Sequence, residues 1–472
     1  MKIHDFGSGT EGGLARVSAT VTWEDSDRPQ REIFIETYAR FASDLNCNPN
    51  AFLLGAIMPA MRHGEHRVLV EGVVCPQLRN GLVTAMQILR GWYGEAKHRS
   101  VMIEATQGFE PPLPRSPQRA ASFLSGGVDG LTTLRSNRLD FPLDHPASIQ
   151  DCFLVHGIDI GGYEALDRKK ENFELAVALL SELARSAKVT LIPVYMNLRY
   201  LDDSDQLCAM ESHGAVLAAI AHAFSRRVTI ALIASSSNML ELVPWGSHPL
   251  LDPNYSSAEV CIRHDGTWLT RLEKVGLIAD WDAVLQTLRS CYNPFRPDDV
   301  LNCAKCEKCI RTMTELLVFG KLKQCRTFPL DDISPDLLRT LEAVPQGGPP
   351  VQPELLLRFS PLRRLHFDNA DHNDWRGLID PLRKIGRRDL AEVIEAKLSE
   401  YEKYQAWMKW KGVARRLDHK YLGGVLSKLN RLIKGKLMNV RLGKIRTKLG
   451  NGVIINRSSI ASIAKRDRQW KY

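Results

Sequence analysis

Ala121-Ser122-Phe123-Leu124-Ser125-Gly126-Gly127-Val128-Asp129-Gly130-Leu131-Thr132-Thr133-Leu134 is the stretch on which the reading of this chain turns. A short apolar run with the character of a buried strand ends in Ser-Gly-Gly, and a helix-compatible segment follows Asp129. Two adjacent glycines let the backbone turn sharply and come close to an anion. The first N–H groups of the ensuing helix are unpaired, and its macrodipole favours negative charge. The loop therefore has the makings of a phosphate cradle. It lacks the lysine of G-x-x-x-x-G-K-[ST], so it is not a Walker loop. Taken alone, Ser-Gly-Gly is more commonly a plain strand-to-helix turn with no ligand.

Working outward, strand alternates with helix from about residue 118. Apolar strands are expected at 152–159, 189–195 and 228–234, and helices at 169–187 and 213–224. This is the signature of an α/β fold, a parallel sheet with helices on both faces, whose strand ends line one ligand crevice. Ser235 and Ser236, at the end of the last of these strands, would face that crevice, or else form a serine-rich turn. His213 opens a helix near the same edge, where capping or packing is the commoner role. Upstream, residues 1–115 read as a small α+β N-terminal domain, with alternating strands at 15–23 and 66–72 and a helical pattern at 82–92. His63, Glu65 and His66 fit a surface turn better than a metal site. A Pro-rich run at 111–117 marks the boundary.

The second sharp signal is Cys291 followed by Cys303, Cys306 and Cys309 in C-x2-C-x2-C spacing. Three thiolates so spaced converge on one ion, with Cys291 folding back as the fourth, which suits a closed tetrahedral Zn2+ site. An iron–sulfur cluster is the rival, but the ferredoxin pattern continues with x3-C-P, and Met313 stands at that position. The other cysteines are spread thinly, which points to metal chemistry in a cytoplasmic protein before disulfides.

Ser125-Gly126-Gly127-Val128-Asp129 after an apolar strand resembles the SGGxDS pyrophosphate loop of the N-type ATP pyrophosphatases (the PP-loop family), which activate substrates by adenylation. Gly130 stands where that pattern has its final serine. With the strand and helix alternation and the cysteine pattern, residues 118–320 are similar to the 7-cyano-7-deazaguanine synthases of the queuosine pathway, over about two fifths of the chain. The resemblance implies ATP, Mg2+ and Zn2+ as cofactors. By position, Ser125, Gly126, Gly127, Val128, Asp129, Gly130 and Thr132 would hold ATP, with Ser235 and Ser236 across the crevice. Asp129 would face magnesium, and Cys291, Cys303, Cys306 and Cys309 the zinc. The implied activity is ATP-dependent activation of a carboxylate, on a small molecule or a protein, for amide or nitrile formation, catalysed by a C–N ligase. Arg271 and Lys274 join Asp129 as candidate catalytic residues, and His248 and Asp252 as crevice residues. The wording of residues 244–252 and 270–275 suggests a substrate other than that of the pathway enzyme, in a specialised setting such as an antiphage gene cluster. A thiolation-type tRNA-modifying enzyme and a non-catalytic nucleotide-binding module are the competing expectations.

The 472 residues suffice for two to four domains at about 100–200 residues each. No apolar run approaches the ~18 residues of a membrane span, and the first residues lack a signal-peptide core, so a cytoplasmic location is expected. The net charge of +9 is uneven. From Lys411 onward 17 Lys and Arg face two acids, Asp418 and Asp467, which is +15 and leaves −6 for residues 1–410. Residues 321–411 are expected as a helical extension with a long amphipathic helix from Arg388 to about Lys411. Residues 412–472 form a basic tail whose leucine periodicity is interrupted by glycines. Such a tail admits nucleic acid, an anionic membrane, an acidic protein or plain solvation. A homodimer is left open.

Overall fold

The computed structural model describes residues 1–94, 98–112, 117–158, 160, 166–202, 204, 207–291, 301–341 and 372–421. Ten strands are described: β1 (Lys2–Glu11), β2 (Leu14–Thr22), β3 (Arg31–Tyr38), β4 (Arg67–Val70), β5 (Met102–Ala105), β6 (Ala120–Phe123), β7 (Ile149–His156), β8 (Thr190–Met196), β9 (Ile230–Ala234) and β10 (Cys261–Asp265). They form one sheet in the order β10-β9-β6-β7-β8-β3-β2-β1-β4-β5.

The half built from β6 to β10 is parallel throughout. The chain starts in the middle with β6, moves to one side through β7 and β8, then returns to place β9 and β10 on the other side. Strand order therefore reverses between β6 and β9, the kind of point beside whose C-terminal strand ends open α/β sheets bind ligands. The helices of this half are α3 (Val128–Asp140), α4 (Leu166–Ser186) and α5 (His213–Ala223). The α/β class expected from the alternation is what the structure has.

The N-terminal 112 residues have the expected mixture of strand and helix, but their strands extend the same sheet. β3 pairs antiparallel with β8, so the edge that a five-stranded parallel sheet would expose is covered. The seam is specific. Pro193 in β8 has no N–H to give, and its carbonyl instead accepts the Thr37 hydroxyl at 2.6 Å. Asn197, just past β8, accepts from Phe34 N at 2.7 Å and donates to Glu32 O at 2.9 Å. On one face α1 (Pro49–Arg62), apolar nearly all round, packs against α5. Its buried residues join those of β2, β3, β8 and β9 in a single hydrophobic core. A second helix, α2 (Pro76–Tyr93), adds Leu78, Leu82 and Leu89 to the same core.

Downstream come α6 (Arg271–Ala279), α7 (Asp282–Leu285), α8 (Glu307–Val318), α9 (Pro335–Arg339), α10 (His372–Lys384) and α11 (Arg388–Tyr421). The chain divides into two compact units, Met1–Leu398 and Ser399–Tyr472. The second is described only over 399–421, where helix continues to Tyr421, past the expected end near Lys411. Residues 422–472, most of the basic tail, lie outside the described residues, as does most of the Pro-rich linker. No helix among the described residues is long and apolar enough to cross a membrane.

Candidate nucleotide and metal site

β6 ends at Phe123, and the chain turns through Gly126, whose φ of +81° lies in the region that favours glycine. Gly127 is the N-cap of α3, and no side chain caps the helix there. Asp129 lies in the first turn. It accepts a hydrogen bond at 3.0 Å from Lys274 Nζ of α6, whose side chain is only 2% exposed against 30% for Asp129. The same ammonium donates to Ser235 O at the end of β9, 2.5 Å away. Lys274 thus joins the two sides of the point where strand order reverses. α6 is held for this by a capping box at its start, where Thr270 and Glu273 bond each other's backbone.

Gly130 has a packing reason. A Cβ there would stand 2.6 Å from the Phe123 carbonyl oxygen, closer than real Cβ contacts. α3 leans against the end of β6 at this residue, and the serine of the resembled pattern does not fit. Gly130→Ser is therefore expected to lower stability by about 1–3 kcal/mol despite the better helix propensity of serine. Chemical denaturation of the two proteins checks this, and an unchanged midpoint would refute it.

The remaining candidates divide. Thr132 is buried, and its hydroxyl reaches the Lys274 carbonyl at 3.4 Å, so it serves α3 and α6 packing. Ser235 is buried with its hydroxyl donated to Ser237 O at 2.6 Å, while Ser236 is exposed. Arg271 is engaged by α8, donating to Thr312 Oγ1 at 3.0 Å and to Glu315 at 3.3 Å. His248 and Asp252 meet on the crossover between β9 and β10. The fully buried Asp252 accepts from His248 N, from Ser247 Oγ at 2.6 Å and from His264 Nδ1 at 2.7 Å. His213 reaches Cys208 O at 3.2 Å. His63, Glu65 and His66 point to different partners, Asp202, the backbone of Glu24 and Asp25, and the Asp25 carboxylate.

The sulfurs of Cys291, Cys303, Cys306 and Cys309 all lie within 4.8 Å of one another. Cys291 to Cys306 is 4.0 Å and Cys303 to Cys309 is 3.9 Å. A tetrahedral ion with Zn–S bonds of about 2.3 Å needs sulfur separations of about 3.8 Å, so the group fits one such metal. A polynuclear cluster would hold its thiolates further apart. Ala304 takes a positive φ of 52° to make the tight turn, and the N–H groups of Lys305 and Cys306 point at Cys303 Sγ, 3.4 and 3.3 Å away. Cys306 is the N-cap of α8 and Cys309 lies in its first turn, where the helix end favours thiolate. The neighbouring sulfurs, that of Cys291 first, hold the Cys303 thiol below its ordinary range.

Two features had no signal in the sequence. Asn302, fully buried, accepts from the backbone N–H groups of Ser290 and Cys291. A buried belt of charge joins α6, α8 and α10: Arg271 with Glu315, Arg311 with Glu307 and Asp374, and Glu307 with the Trp375 indole at 2.8 Å. Burial pushes Glu315 up to about 7, against the pull of Arg271 and Arg311. The folded protein therefore holds a proton that the unfolded chain releases near 4.5, and this contribution is complete below that pH and lost as pH rises through 7. Glu315→Gln should remove it, so stability relative to the variant falls by up to about 3 kcal/mol between those pH values. Parallel pH profiles of the melting temperature would sink the idea.

No protein-family model, no curated protein and no solved structure matches the chain.

Proposed function

We propose that this chain is an ATP-dependent adenylating enzyme of the PP-loop class, similar to 7-cyano-7-deazaguanine synthase. It would activate a carboxylate as its acyl-adenylate for amide or nitrile formation. The observation that carries the reading is the union, at the strand-order reversal, of a glycine loop opening α3 with a buried lysine that bridges Asp129 to the end of β9.

A carboxylate is a poor electrophile until its oxygen carries a good leaving group. The α3 N-terminus and Lys274 place positive charge at the crevice, where charge would develop on departing pyrophosphate. Lys274 is pre-oriented by two acceptors, so it need not reorganise during the reaction. Asp129, the more exposed partner, is the carboxylate available to magnesium, which would supply further charge neutralisation. The four-cysteine site, with every position taken by sulfur, is of the structural kind.

The test is incubation of the purified chain with labelled ATP, magnesium and fractionated cell extract. Stimulated, equimolar release of AMP and pyrophosphate by one fraction is expected. If every fraction leaves both at background, adenylation is the wrong reaction.

A further inference from the structure

We propose that Asn302 couples the four-cysteine site to the phosphate loop, so that filling the metal site sets the loop's affinity for the phosphates of a nucleotide. The inference rests on reading Ser125–Gly130 as that cradle.

The coupling runs through a short strap, Thr287 to Cys291. Asn302 Oδ1 accepts from Ser290 N at 2.9 Å, Cys291 N at 3.1 Å and Ser290 Oγ at 3.3 Å. Its Nδ2 donates to Leu288 O at 2.9 Å, Thr327 Oγ1 at 3.0 Å and Thr327 O at 3.2 Å. An amide has two donor hydrogens and one carbonyl oxygen, so these contacts, one hydrogen being shared between acceptors, together with a long one from Cys309 Sγ at 4.0 Å saturate the buried side chain. In the middle of the strap, Arg289 N donates to Gly126 O at 2.8 Å. A Cβ on Gly126 would stand 3.3 Å from Thr287 O, so strap and loop touch along their backbones.

Both ends of this arrangement are metal ligands. The strap ends at Cys291, and Asn302 immediately precedes Cys303. An ion that draws those two sulfurs to tetrahedral spacing fixes the two chain segments between which Asn302 sits, and with them the N–H that holds Gly126. Without the ion, four crowded thiols exert no such pull and the strap keeps only its hydrogen bonds. The loop then spends binding energy on being ordered, which weakens its hold on an anion.

The full-length protein is loaded with one zinc or stripped by a chelator, and binding of the magnesium complex of α,β-methylene ATP is measured by calorimetry. Zinc is expected to tighten binding at least about fivefold, within the about 5–150-fold span of allosteric coupling. By linkage the analogue must raise zinc affinity by the same factor. That arm is read as less zinc lost at equilibrium from loaded protein to a chromophoric chelator, and starts from the zinc-loaded form. Asn302→Ala should still bind one zinc, yet bind the analogue more weakly and no longer retain more zinc against the chelator when the analogue is added. A merely structural asparagine would lower the melting temperature and leave the linkage intact, and that result overturns the proposal. Zinc loss indifferent to the analogue in the unsubstituted protein overturns it as well. If loaded protein takes up zinc normally but never binds the analogue, the cradle reading fails and the coupling fails with it.

Discussion

Lys274→Met is expected to reduce carboxylate-dependent pyrophosphate release by about 100–1000-fold while leaving the fold nearly as stable as before. The two halves of this expectation have separate causes. Under the proposed function the rate falls because the Lys274 ammonium, held by Asp129 and Ser235 O, is the charge that would meet the leaving group. Stability should survive because methionine matches the length of the lysine stem and fills its space, and losing one partner of an ion pair is costly chiefly where the other is left buried. Asp129, partly exposed, can be solvated once its partner is gone. The reciprocal change separates the roles further. Asp129→Ala leaves the buried ammonium with a single carbonyl partner, and should cost stability toward the lower end of the about 3–5 kcal/mol typical of breaking a buried pair. Activity and chemical denaturation measured on both variants give the answer. A Lys274→Met protein that keeps full activity would remove lysine from the mechanism, and one that unfolds would show that the ion pair serves the fold.

The second large effect concerns the metal. Cys309→Ser should reduce bound zinc from one per chain to none by elemental analysis and lower the melting temperature by several degrees. Cys309 is fully buried at the start of α8, so its loss both opens the coordination shell and leaves a hydroxyl among the remaining thiols. In small zinc domains the metal contributes about 10–16 kcal/mol and unfolding is complete without it. The loss here should be smaller, because α8 also buries Ile310, Met313 and Leu316. The same variant therefore predicts a folded, zinc-free protein. Retention of stoichiometric zinc would mean that three cysteines and another donor suffice. Complete unfolding would mean that the metal holds more of the chain than α8.

How much of this was legible beforehand follows the range of the interactions. The Ser-Gly-Gly turn, the helix after it and the C-x2-C-x2-C group are local patterns, and the structure places the loop and all four sulfurs as the spacing implies. Strands β2, β7, β8 and β9 were visible because their residues are apolar or alternate cleanly. β1, β3 and β10 carry charged or polar residues at many positions, and they become strands because a neighbouring edge supplies their hydrogen bonds. Gly130 looked like a departure from a motif, and only the carbonyl of Phe123 shows what it accommodates. Arg271 and Lys274, three residues apart on one helix, invited the same role. Packing sends one to α8 and the other to Asp129.

The sequence by itself determined the chemistry that adjacent residues share: a backbone that can cradle an anion, four thiols at metal-binding spacing, a parallel α/β alternation and a strongly basic end. Tertiary structure alone decided which distant groups meet. Asp129 and Lys274 lie 145 positions apart, and only the reversal of strand order between β6 and β9 brings them together. The same holds for the N-terminal strands that close the β8 edge, and for the asparagine that ties Cys291 to the loop. The physical reason is that the low-dielectric interior makes unpaired polar groups costly, so such groups take the partner that packing provides, and no local pattern records which one that will be.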